Sequence, residues 1–419
     1  MDKRYKLTNE TKIIQALGKT ITLYRIEALS DFKCQDKEVH KGDKGGFVES
    51  EDNLSQNMNE TAWIFDKASV YDNAFVCGNA CVSDMASVCD KAFIEGYARV
   101  SGLARVSGNS CIADNAIICD NARVKDTQVY NEPLILGCAR VEKSQIYGYA
   151  QIYGNVKVFE AEIYDEAEVY GNASISGNTI GISENAIVKI FDEAKVFGSA
   201  KVCDGVTVSC DAQIYDSAYV KGFSAIYGNA KIHDSAQISG NTKVFGDAEI
   251  YGNAKICNYA QIFGKAQVYD NSNVHGNALI YNNAQIYGNA KVGNYVIISE
   301  NALIYGNAKV FGNARIRDDA RIYDNTKVYD NAQIYDNAKV FGNAQVFEDA
   351  KLLGNAKVFE GAKIFGNALL CDNAKVYDNA CVQHNTVVRG DFIIDGKEMD
   401  CISDIGDDCA NDIGDDIEF

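Results

Sequence analysis

The chain has 419 residues and a formal net charge of −18 at pH 7, with one proline, one tryptophan and 24 tyrosines. Its scarcity of leucine argues against a leucine-rich helical core, and no apolar run approaches the ~20 residues of a membrane helix. The polar start, MDKRYKLTNETK, has no apolar signal-peptide stretch. We therefore expect a cytoplasmic protein with no membrane partner.

The beginning of the chain lacks the repeat that dominates the rest. Residues 21–29, ITLYRIEAL, have the alternation typical of a strand. Residues 40–56, HKGDKGGFVESEDNLSQ, predict Gly-rich turns that lead into a short strand. We predict that residues 1–60 form a small cap, because the open end of a repetitive sheet needs a cover.

A phrase of six residues then recurs: aliphatic, aromatic, Gly or Asp, Asn, Ala, polar. Its alanine returns every six residues from Ala62 to Ala122, with Ser110 replacing it once. From Val206 to Thr386 the same position is filled by Ala, Ser, Thr or Val through 30 unbroken intervals. Repetition this regular indicates a solenoid.

Each repeat alternates small or aliphatic residues with polar or aromatic ones over four residues, which predicts a short strand. The Gly-Asn or Asp-Asn pair that follows tolerates positive φ, so the chain can bend there. Each repeat supplies one strand and one bend, and three repeats close one triangular coil. We predict an all-β protein, a single-stranded left-handed parallel β-helix of about 18 coils over residues 61–395.

The repeat becomes irregular between residues 122 and 206, where Pro133 also lies. A missing or extra residue in such a coil becomes a bulge or a small loop. We interpret the region as a structural irregularity, with a functional loop as the alternative. The irregular intervals are five residues at Ala122–Thr127, Ala139–Ser144 and Val156–Ala161, and seven at Thr179–Ala186.

Residues that are three repeats apart should stack on one face of such a coil. In the column that begins at Tyr215, nine of ten positions are aromatic and the tenth is His233, whereas the other two columns have four of ten and five of nine. An outward aromatic strip suits a protein or carbohydrate partner, or a second copy of the chain; the alternative is that stacking only stabilises neighbouring strands. The candidate binding surface comprises Tyr215, Tyr251, Tyr269, Tyr287, Tyr305, Tyr323, Phe341, Phe359 and Tyr377.

Catalysis has little support in the sequence. Of the four histidines, His233 and His275 replace aromatic-position residues, which leaves His384 and His40 as the candidates for a general base. A general base needs an orienting partner, and the sequence shows none. We therefore predict no catalytic residue and no cofactor; acetyl-CoA would be needed only if the chain were an acyltransferase.

Metal and nucleic-acid sites are also not expected. The cysteines substitute singly for ordinary repeat residues, without C-x-x-C or Cys/His spacing, so we expect reduced thiols and no metal. Residues 391–419 contain eleven acids and one base, and we predict a mobile acidic tail over residues 396–419. Its two DIGDD motifs lack the closing Glu of a calcium loop. No basic stripe is evident, so nucleic acid is not expected as a partner.

Three stretches resemble the bacterial and prophage YdcK-like β-solenoid family: LYRIEALSDF (23–32), KGDKGGFVESEDNLSQ (41–56) and AWIFDKASVYDNA (62–74). The most specific is the Gly-Gly-Phe-Val stretch that leads to Asn-Leu-Ser-Gln. The resemblance implies a left-handed β-helix over essentially the whole ordered chain. Some members are labelled putative acetyltransferases, but the family offers no catalytic motif to carry over to this sequence.

Together these features predict an elongated, non-enzymatic bacterial or phage protein. We expect it to act as a binding or scaffolding rod that self-associates through its stacked aromatic face, as a homo-oligomer. A CoA-dependent acyltransferase of the hexapeptide-repeat class is the alternative.

Overall fold

A computed structural model describes residues 3–16, 18–177 and 186–396. They belong to two compact units, Met1–Asn229 (unit 1) and Ala230–Phe419 (unit 2). The predicted acidic tail lies outside the described residues except for Gly396, as does Thr179, where the predicted seven-residue interval begins.

The chain is an all-β solenoid of about 19 parallel stacked coils with about 18 residues per turn, which confirms the predicted class. One coil of unit 2 shows the plan, with strands Lys339–Val340, Gln345–Val346 and Lys351–Leu352 on three successive faces. Each strand pairs in parallel with the strand one coil later, as Lys339 does with Lys357. No helix in the described part of the chain has the length and hydropathy needed to cross a membrane.

The three faces are named by their strands in chain order. Face 1 of unit 1 contains Trp63–Ile64, Cys81–Val82, Arg99–Val100, Ile117–Ile118, Leu134–Ile135, Gln151–Gly154, Glu168–Gly171, Lys195–Val196 and Gln213–Ile214. Face 2 of unit 1 contains Ser69–Val70, Ser87–Val88, Arg105–Ser107, Arg123–Lys125, Arg140–Glu142, Lys157–Phe159, Ser174–Ser176, Lys201–Cys203 and Tyr219–Val220. Face 3 of unit 1 contains Phe75–Val76, Phe93–Ile94, Cys111–Ile112, Gln128–Val129, Gln145–Ile146, Ala161–Ile163, Val188–Ile190, Thr207–Val208 and Ala225–Ile226.

Unit 2 also has three faces, numbered by the same chain order of its strands. Face 1 contains Lys231–Ile232, Glu249–Ile250, Gln267–Val268, Gln285–Ile286, Leu303–Ile304, Arg321–Ile322, Lys339–Val340, Lys357–Val358, Lys375–Val376 and Ile393–Ile394. Face 2 contains Gln237–Ile238, Lys255–Ile256, Asn273–Val274, Lys291–Val292, Lys309–Val310, Lys327–Val328, Gln345–Val346, Lys363–Ile364 and Cys381–Val382. Face 3 contains Lys243–Val244, Gln261–Ile262, Leu279–Ile280, Ile297–Ile298, Arg315–Ile316, Gln333–Ile334, Lys351–Leu352, Leu369–Leu370 and Val387–Val388.

The repeat places its small and branched residues inside each coil. Ala338 and Val340 are fully buried, while the polar residue between them points outward, as strand alternation requires. At the bends, Asp336 has φ 54° and Gly354 has φ 64°, which explains the preference for Asp, Asn and Gly there. The Gly354 N–H also donates to Asp336 Oδ2 at 2.7 Å, so the acidic side chain links one coil to the next.

The irregular region of unit 1 consists of shorter coils and one insertion. The pairings of Arg123 with Arg140 and of Arg140 with Lys157 show coils that are one residue shorter than the regular ones. Each loses its residue at the bend between faces 2 and 3. Lys157 pairs with Ser174 in one more short coil, and Ser174 then pairs with Lys201, so this last coil is half as long again as a regular one. The extra residues lie between Ser176 and Val188, and residues 178–185 among them are outside the described part.

Five strands precede the first complete coil: β1 (Tyr5–Ala16), β2 (Lys19–Ala28), β3 (Phe32–Cys34), β4 (Lys37–Val39) and β5 (Lys44–Val48). β1, β2 and β5 pair antiparallel, and β3 pairs with β4 in a separate hairpin. A 3₁₀ turn, Glu51–Asn53, follows. β5 pairs in parallel with Ser69–Val70, so the stack begins inside the segment predicted as the cap.

Aromatic and cationic side chains close the start of the stack. The fully buried Trp63 ring meets the rings of Tyr5 and Phe32 edge-on at 6.2 and 5.3 Å. The Arg4 guanidinium is buried and donates to the backbone carbonyls of Ser55 (3.3 Å) and Ala62 (3.0 Å). These hydrogen bonds satisfy the buried guanidinium. They also satisfy the two backbone carbonyls, which would otherwise have no partner at the start of the stack.

Candidate binding face

The predicted aromatic column forms a continuous ladder of parallel rings on face 1 of unit 2. Successive ring centroids lie 4.8–5.1 Å apart, and the planes are within 4° of parallel, or 14° for the last pair. This aromatic ladder comprises His233, Tyr251, Tyr269, Tyr287, Tyr305, Tyr323, Phe341, Phe359 and Tyr377. Tyr215, the remaining predicted member, lies in unit 1, where its ring stacks 4.9 Å from Phe197.

Stacking limits what the rings can offer to a partner. Tyr305 has a parallel ring 4.9 Å away on each side, from Tyr287 and Tyr323. At this centroid separation neighbouring rings are close to van der Waals contact, so no ring or sugar of a partner can enter between them. The ladder therefore presents ring edges and phenol hydroxyls, and its strands also gain the cross-strand stabilisation that is the alternative role of the column.

The phenol groups remain protonated well above neutral pH. Burial raises the pKa of Tyr269 to about 12, and the neighbouring phenols of Tyr251 and Tyr287 add to the rise. Burial likewise raises the pKa of Tyr305 and Tyr323, although the nearby Arg321 charge opposes it. The hydroxyls can thus donate as well as accept hydrogen bonds at physiological pH.

Beside the aromatic ladder runs a row of cations that sequence analysis missed. Arg321, Lys339, Lys357 and Lys375 pair in register on four neighbouring strands; we call them the basic ladder. The arginine is exposed and the three lysines are half-buried. Within residues 3–16, 18–177 and 186–396, none of these four side chains has an ion pair or a side-chain hydrogen bond. The expectation that no basic stripe exists was wrong. The regular repeats from Val206 onward carry almost no net charge as a whole, and this neutrality concealed the alignment of the four cations on one face.

A groove of about 450 Å³ follows the basic ladder. Its other wall is a row of amides and one acid, Asp319, Asn337, Asn355 and Asn373. Asn355 Nδ2 donates to Asn373 Oδ1 at 3.0 Å, and Asn373 Nδ2 donates to Asp391 Oδ1 at 2.9 Å. The groove therefore offers cations on one side and amide donors and acceptors on the other.

The two histidine candidates lie outside this groove. His384 is exposed at a bend of unit 2 with φ 57°. His40 is an exposed residue of unit 1, and its Nδ1 lies 4.0 Å from an Asp31 oxygen at the surface. His233 stacks in the aromatic ladder and His275 packs against Phe311 at 5.8 Å. Neither candidate is enclosed in the way that a general base in a substrate pocket would be.

Among the described residues of unit 1, one cluster brings together three acidic or thiol ligand atoms. Cys89 Sγ and carboxylate oxygens of Asp72 and Asp90 lie within 4.8 Å of one another. Burial raises the pKa of the Cys89 thiol, which disfavours the thiolate that a metal requires. This cluster therefore gives no argument for a metal centre.

Sequence analysis also missed the ring ladders of unit 1. Tyr130, Tyr147, Tyr164 and Phe191 stack on face 3 at 4.7–5.0 Å. Tyr153, Tyr170, Phe197 and Tyr215 stack on face 1 at 4.8–4.9 Å. A search with a step one residue shorter would have found Tyr130, Tyr147 and Tyr164 on face 3, and Tyr153 and Tyr170 on face 1. We followed the step of the regular repeat instead.

The comparison with protein families supports the fold from an independent direction. The family model described as YdcK Beta solenoid repeat matches residues 332–348 and 371–390, which lie in the regular coils of unit 2. No curated protein matched the chain in the corresponding search. The match and the stacked parallel coils together support a YdcK-like β-solenoid.

Proposed function

We propose that this protein is a non-enzymatic binding or scaffolding solenoid and that face 1 of unit 2 is its partner surface. The observation that carries the proposal is the uninterrupted aromatic ladder from His233 to Tyr377, flanked by the basic ladder and its groove. The proposal also includes two features that the sequence led us to expect, a left-handed coil and a cytoplasmic location.

The other faces of unit 2 lack such continuity, which favours face 1 as the surface used for recognition. On face 3, Phe245, Phe263 and Tyr281 stack, but the next position is Ser299. On face 2, Phe347 stacks on Phe365. If rings served only to stabilise strands, each face would gain equally from them.

Self-association is the simplest form of partner binding through this face, since two copies would bring identical ladders together around a twofold axis. Light scattering over a concentration series tests it. We expect a mass above that of one chain, and a return to one chain in the double variant Tyr287→Ser/Tyr323→Ser. The matched control, Tyr281→Ser on face 3, should associate like the unaltered protein. A single-chain mass at every concentration would overturn this part.

The acyltransferase alternative is tested separately by thermal unfolding with acetyl-CoA. We expect no shift in Tm, because neither His40 nor His384 lies in an enclosed pocket. A concentration-dependent rise in Tm that is lost in His384→Ala or His40→Ala would support the enzyme and overturn the non-enzymatic proposal.

A further inference from the structure

We propose that Cys34 and Cys81 form a thiol pair that reacts with a hydroperoxide, of which hydrogen peroxide is the simplest, and closes to a disulfide. The disulfide would fasten the β3–β4 hairpin to the first coils, because Cys34 ends β3 and Cys81 begins the face 1 strand Cys81–Val82. The site lies in unit 1. The inference therefore goes beyond the proposed partner surface of unit 2 and does not depend on it.

The first observation is the contact between two thiols that are far apart in the sequence. The side chains of Cys34 and Cys81 form a hydrogen bond with each other. Cys34 Sγ also lies 3.7 Å from the backbone oxygen of Ala80, the residue directly before Cys81. A disulfide can form only between cysteines that are already neighbours in the fold, and this contact supplies that condition.

The second observation is that the hairpin is held on the coils. Gln35, the residue after Cys34, donates through Nε2 to the backbone oxygens of Asn79 and Tyr97, each at 2.9 Å. Asn79 and Tyr97 belong to successive coils, so one side chain ties the hairpin to both. Cys34 is therefore presented to Cys81 in a fixed position.

The third observation is a cavity that gives access to the pair. Cys34, Cys81, Lys37, Asp84 and Arg99 are among the residues that line this cavity of about 240 Å³. It is several times larger than the ~30 Å³ that a water molecule occupies in the liquid, so it has room for a small hydroperoxide. The exposed fraction is 8% for Cys81 and 1% for Cys34, which makes Cys81 the thiol that the oxidant reaches first.

The charges around the cavity favour a thiolate on the same residue. The hydrogen bond with Cys34 lowers the pKa of the Cys81 thiol. The charges of Lys37 and Arg99 lower it further, whereas burial and the Asp66 carboxylate oppose the change. The hydrogen bond and burial raise the pKa of Cys34. Cys81 is thus the nucleophile, and Cys34 is the thiol that completes the disulfide.

A soft metal ion is the other ligand that two thiols attract. It would require both thiols to be deprotonated, but here one thiol donates to the other. Lys37 and Arg99 also line the cavity, and their positive charges oppose the entry of a cation. We therefore favour oxidation and treat metal binding as an outcome of the test.

The reaction needs only the two thiols and the hydroperoxide. The Cys81 thiolate attacks one peroxide oxygen and the O–O bond breaks. The leaving oxygen takes up a proton to become water or an alcohol, and Cys81 becomes a sulfenic acid. The Cys34 sulfur then gives up its proton and attacks the Cys81 sulfur, and the sulfenic oxygen leaves as water. The two thiols lose two electrons in total, and the hydroperoxide gains them.

The test treats the reduced full chain with equimolar hydrogen peroxide and blocks the remaining thiols with N-ethylmaleimide. Peptide mass spectrometry without reduction then locates any cross-link. We expect one between the peptides that contain Cys34 and Cys81, together with a higher Tm, because a disulfide restricts the unfolded chain. Dithiothreitol should reverse both changes.

Single variants separate the roles of the two thiols. In Cys34→Ser the sulfenic acid has no thiol to meet, so dimedone should label Cys81 after peroxide treatment. In Cys81→Ser, labelling of Cys34 should be at least about tenfold weaker, because that thiol is buried and protonated. Lys37→Gln should slow the labelling of Cys81 about two- to fivefold, because it removes a nearby positive charge. Two thiols with a purely structural role would show neither difference.

The matched control is Cys119→Ser, which removes another thiol of unit 1 whose pKa is raised by burial. It should form the Cys34–Cys81 cross-link like the unaltered chain. Circular dichroism checks the fold of each variant. Limiting hydrogen peroxide on the unaltered chain should oxidise Cys81 before Cys119, which tests the nucleophile even if a variant fails to fold.

Absence of the cross-link after peroxide treatment would overturn the inference, as would stronger dimedone labelling at Cys34 than at Cys81. Protection of both thiols from N-ethylmaleimide by equimolar Zn²⁺, with no cross-link after peroxide, would overturn it in favour of a metal site. These results leave the partner surface of unit 2 untouched, since light scattering tests that surface separately.

Discussion

Units 1 and 2 use the same coil but differ in how the charges on face 1 are paired. In unit 1, neighbouring strands place acid against base, with Glu168 Oε1 and Lys195 Nζ 2.8 Å apart on face 1 and Glu162 and Lys189 also 2.8 Å apart on face 3. On face 1 of unit 2 the equivalent outward position holds four cations in succession. On face 1 of unit 1 the cations Arg99 and Lys195 are paired with Asp36 and Glu168, whereas this part of face 1 in unit 2 leaves its cations available. Face 2 of unit 1 does carry a comparable in-register row, Arg105, Arg123, Arg140 and Lys157.

The two units also differ in coil length without losing side-chain stacking. A shortened coil separates Tyr147 from Tyr164, the coil with the insertion separates Tyr164 from Phe191, and a regular coil separates Phe341 from Phe359. Every pair nevertheless stacks at 4.7–4.9 Å. The parallel strand register sets the distance between stacked rings, and the bends accommodate the difference in coil length. The positive φ values of Lys143 (50°) and Glu160 (52°) show how a bend shortened by one residue is made.

The largest expected effect comes from a charge inside either kind of coil. Val340→Asp in unit 2 and Val158→Asp in the shortened coils of unit 1 should each lower the free energy of unfolding by more than about 3 kcal/mol, because the carboxylate has no partner in the core. Urea denaturation followed by circular dichroism measures it. Gln345→Asp, which faces outward, is the control. A mild effect at Val158 alone would show that the shortened coils are loosely packed.

Alkaline titration should weaken both units together. Burial raises the pKa of Tyr147 in unit 1 and of Tyr269 in unit 2 to about 12, above about 10 in an unfolded chain. The folded state then holds its protons longer, so stability is full below pH ~10 and declines as the pH rises to ~12. Tyrosinate absorbance against pH, with Tyr269→Phe and Tyr147→Phe as controls, measures it. Titration near pH 10 while the chain stays folded would contradict the burial.

Removal of one ring tests whether the ladders of the two units are equivalent. Tyr305→Ser and Tyr164→Ser each remove a ring with two stacked neighbours. Each lost pair should cost about 0.5–1.5 kcal/mol beyond lost burial, which a shift in the urea midpoint reports. Tyr377→Ser loses the stack with Phe359 at the end of the ladder, and we expect a smaller cost. Equal costs at all three positions would show that stacking contributes little.

The smallest effects come from reversing the charge pattern itself. Lys357→Glu places an acid between two cations and should raise the free energy of unfolding by about 0.2–1 kcal/mol. Glu168→Gln breaks the pair with Lys195 and should lower it by about 0.2–1 kcal/mol. Both changes should shrink in high salt. If Lys357→Glu destabilises unit 2, the basic ladder is not under repulsive strain and the charge contrast between face 1 of the two units is lost.

The six-residue repeat was enough to predict the solenoid, the length of its regular coil and the aromatic ladder, because each depends only on local alternation and on a fixed step. The step changes in unit 1, so the ladder of Tyr130, Tyr147 and Tyr164 could not be found with the rule that worked for unit 2. The basic ladder was missed for another reason. Lysine is an ordinary outward residue of the repeat, and only the pairing of Lys339 with Lys357 and Lys375 distinguishes it.

The start of the stack was harder to predict than its body. Arg4 reaches carbonyls of Ser55 and Ala62, far later in the chain, and such a long-range contact leaves no periodic trace. The Gly45 and Gly46 pair of β5 lies against Ile26, Ile64 and backbone atoms at distances that leave no room for a Cβ. The glycines were visible in the sequence, but the atoms that require them were not.

The fixed strand register between neighbouring coils has a consequence for how such genes can change length. In unit 2, Lys339 pairs with Lys357 and Lys357 with Lys375, so duplication of a whole regular coil would keep every strand in register and every side chain on its own face. A gain or loss of a single repeat keeps the strands and bends intact but turns all later side chains by one side of the triangle. The binding residues would then be carried to a different side, while the core remained sound.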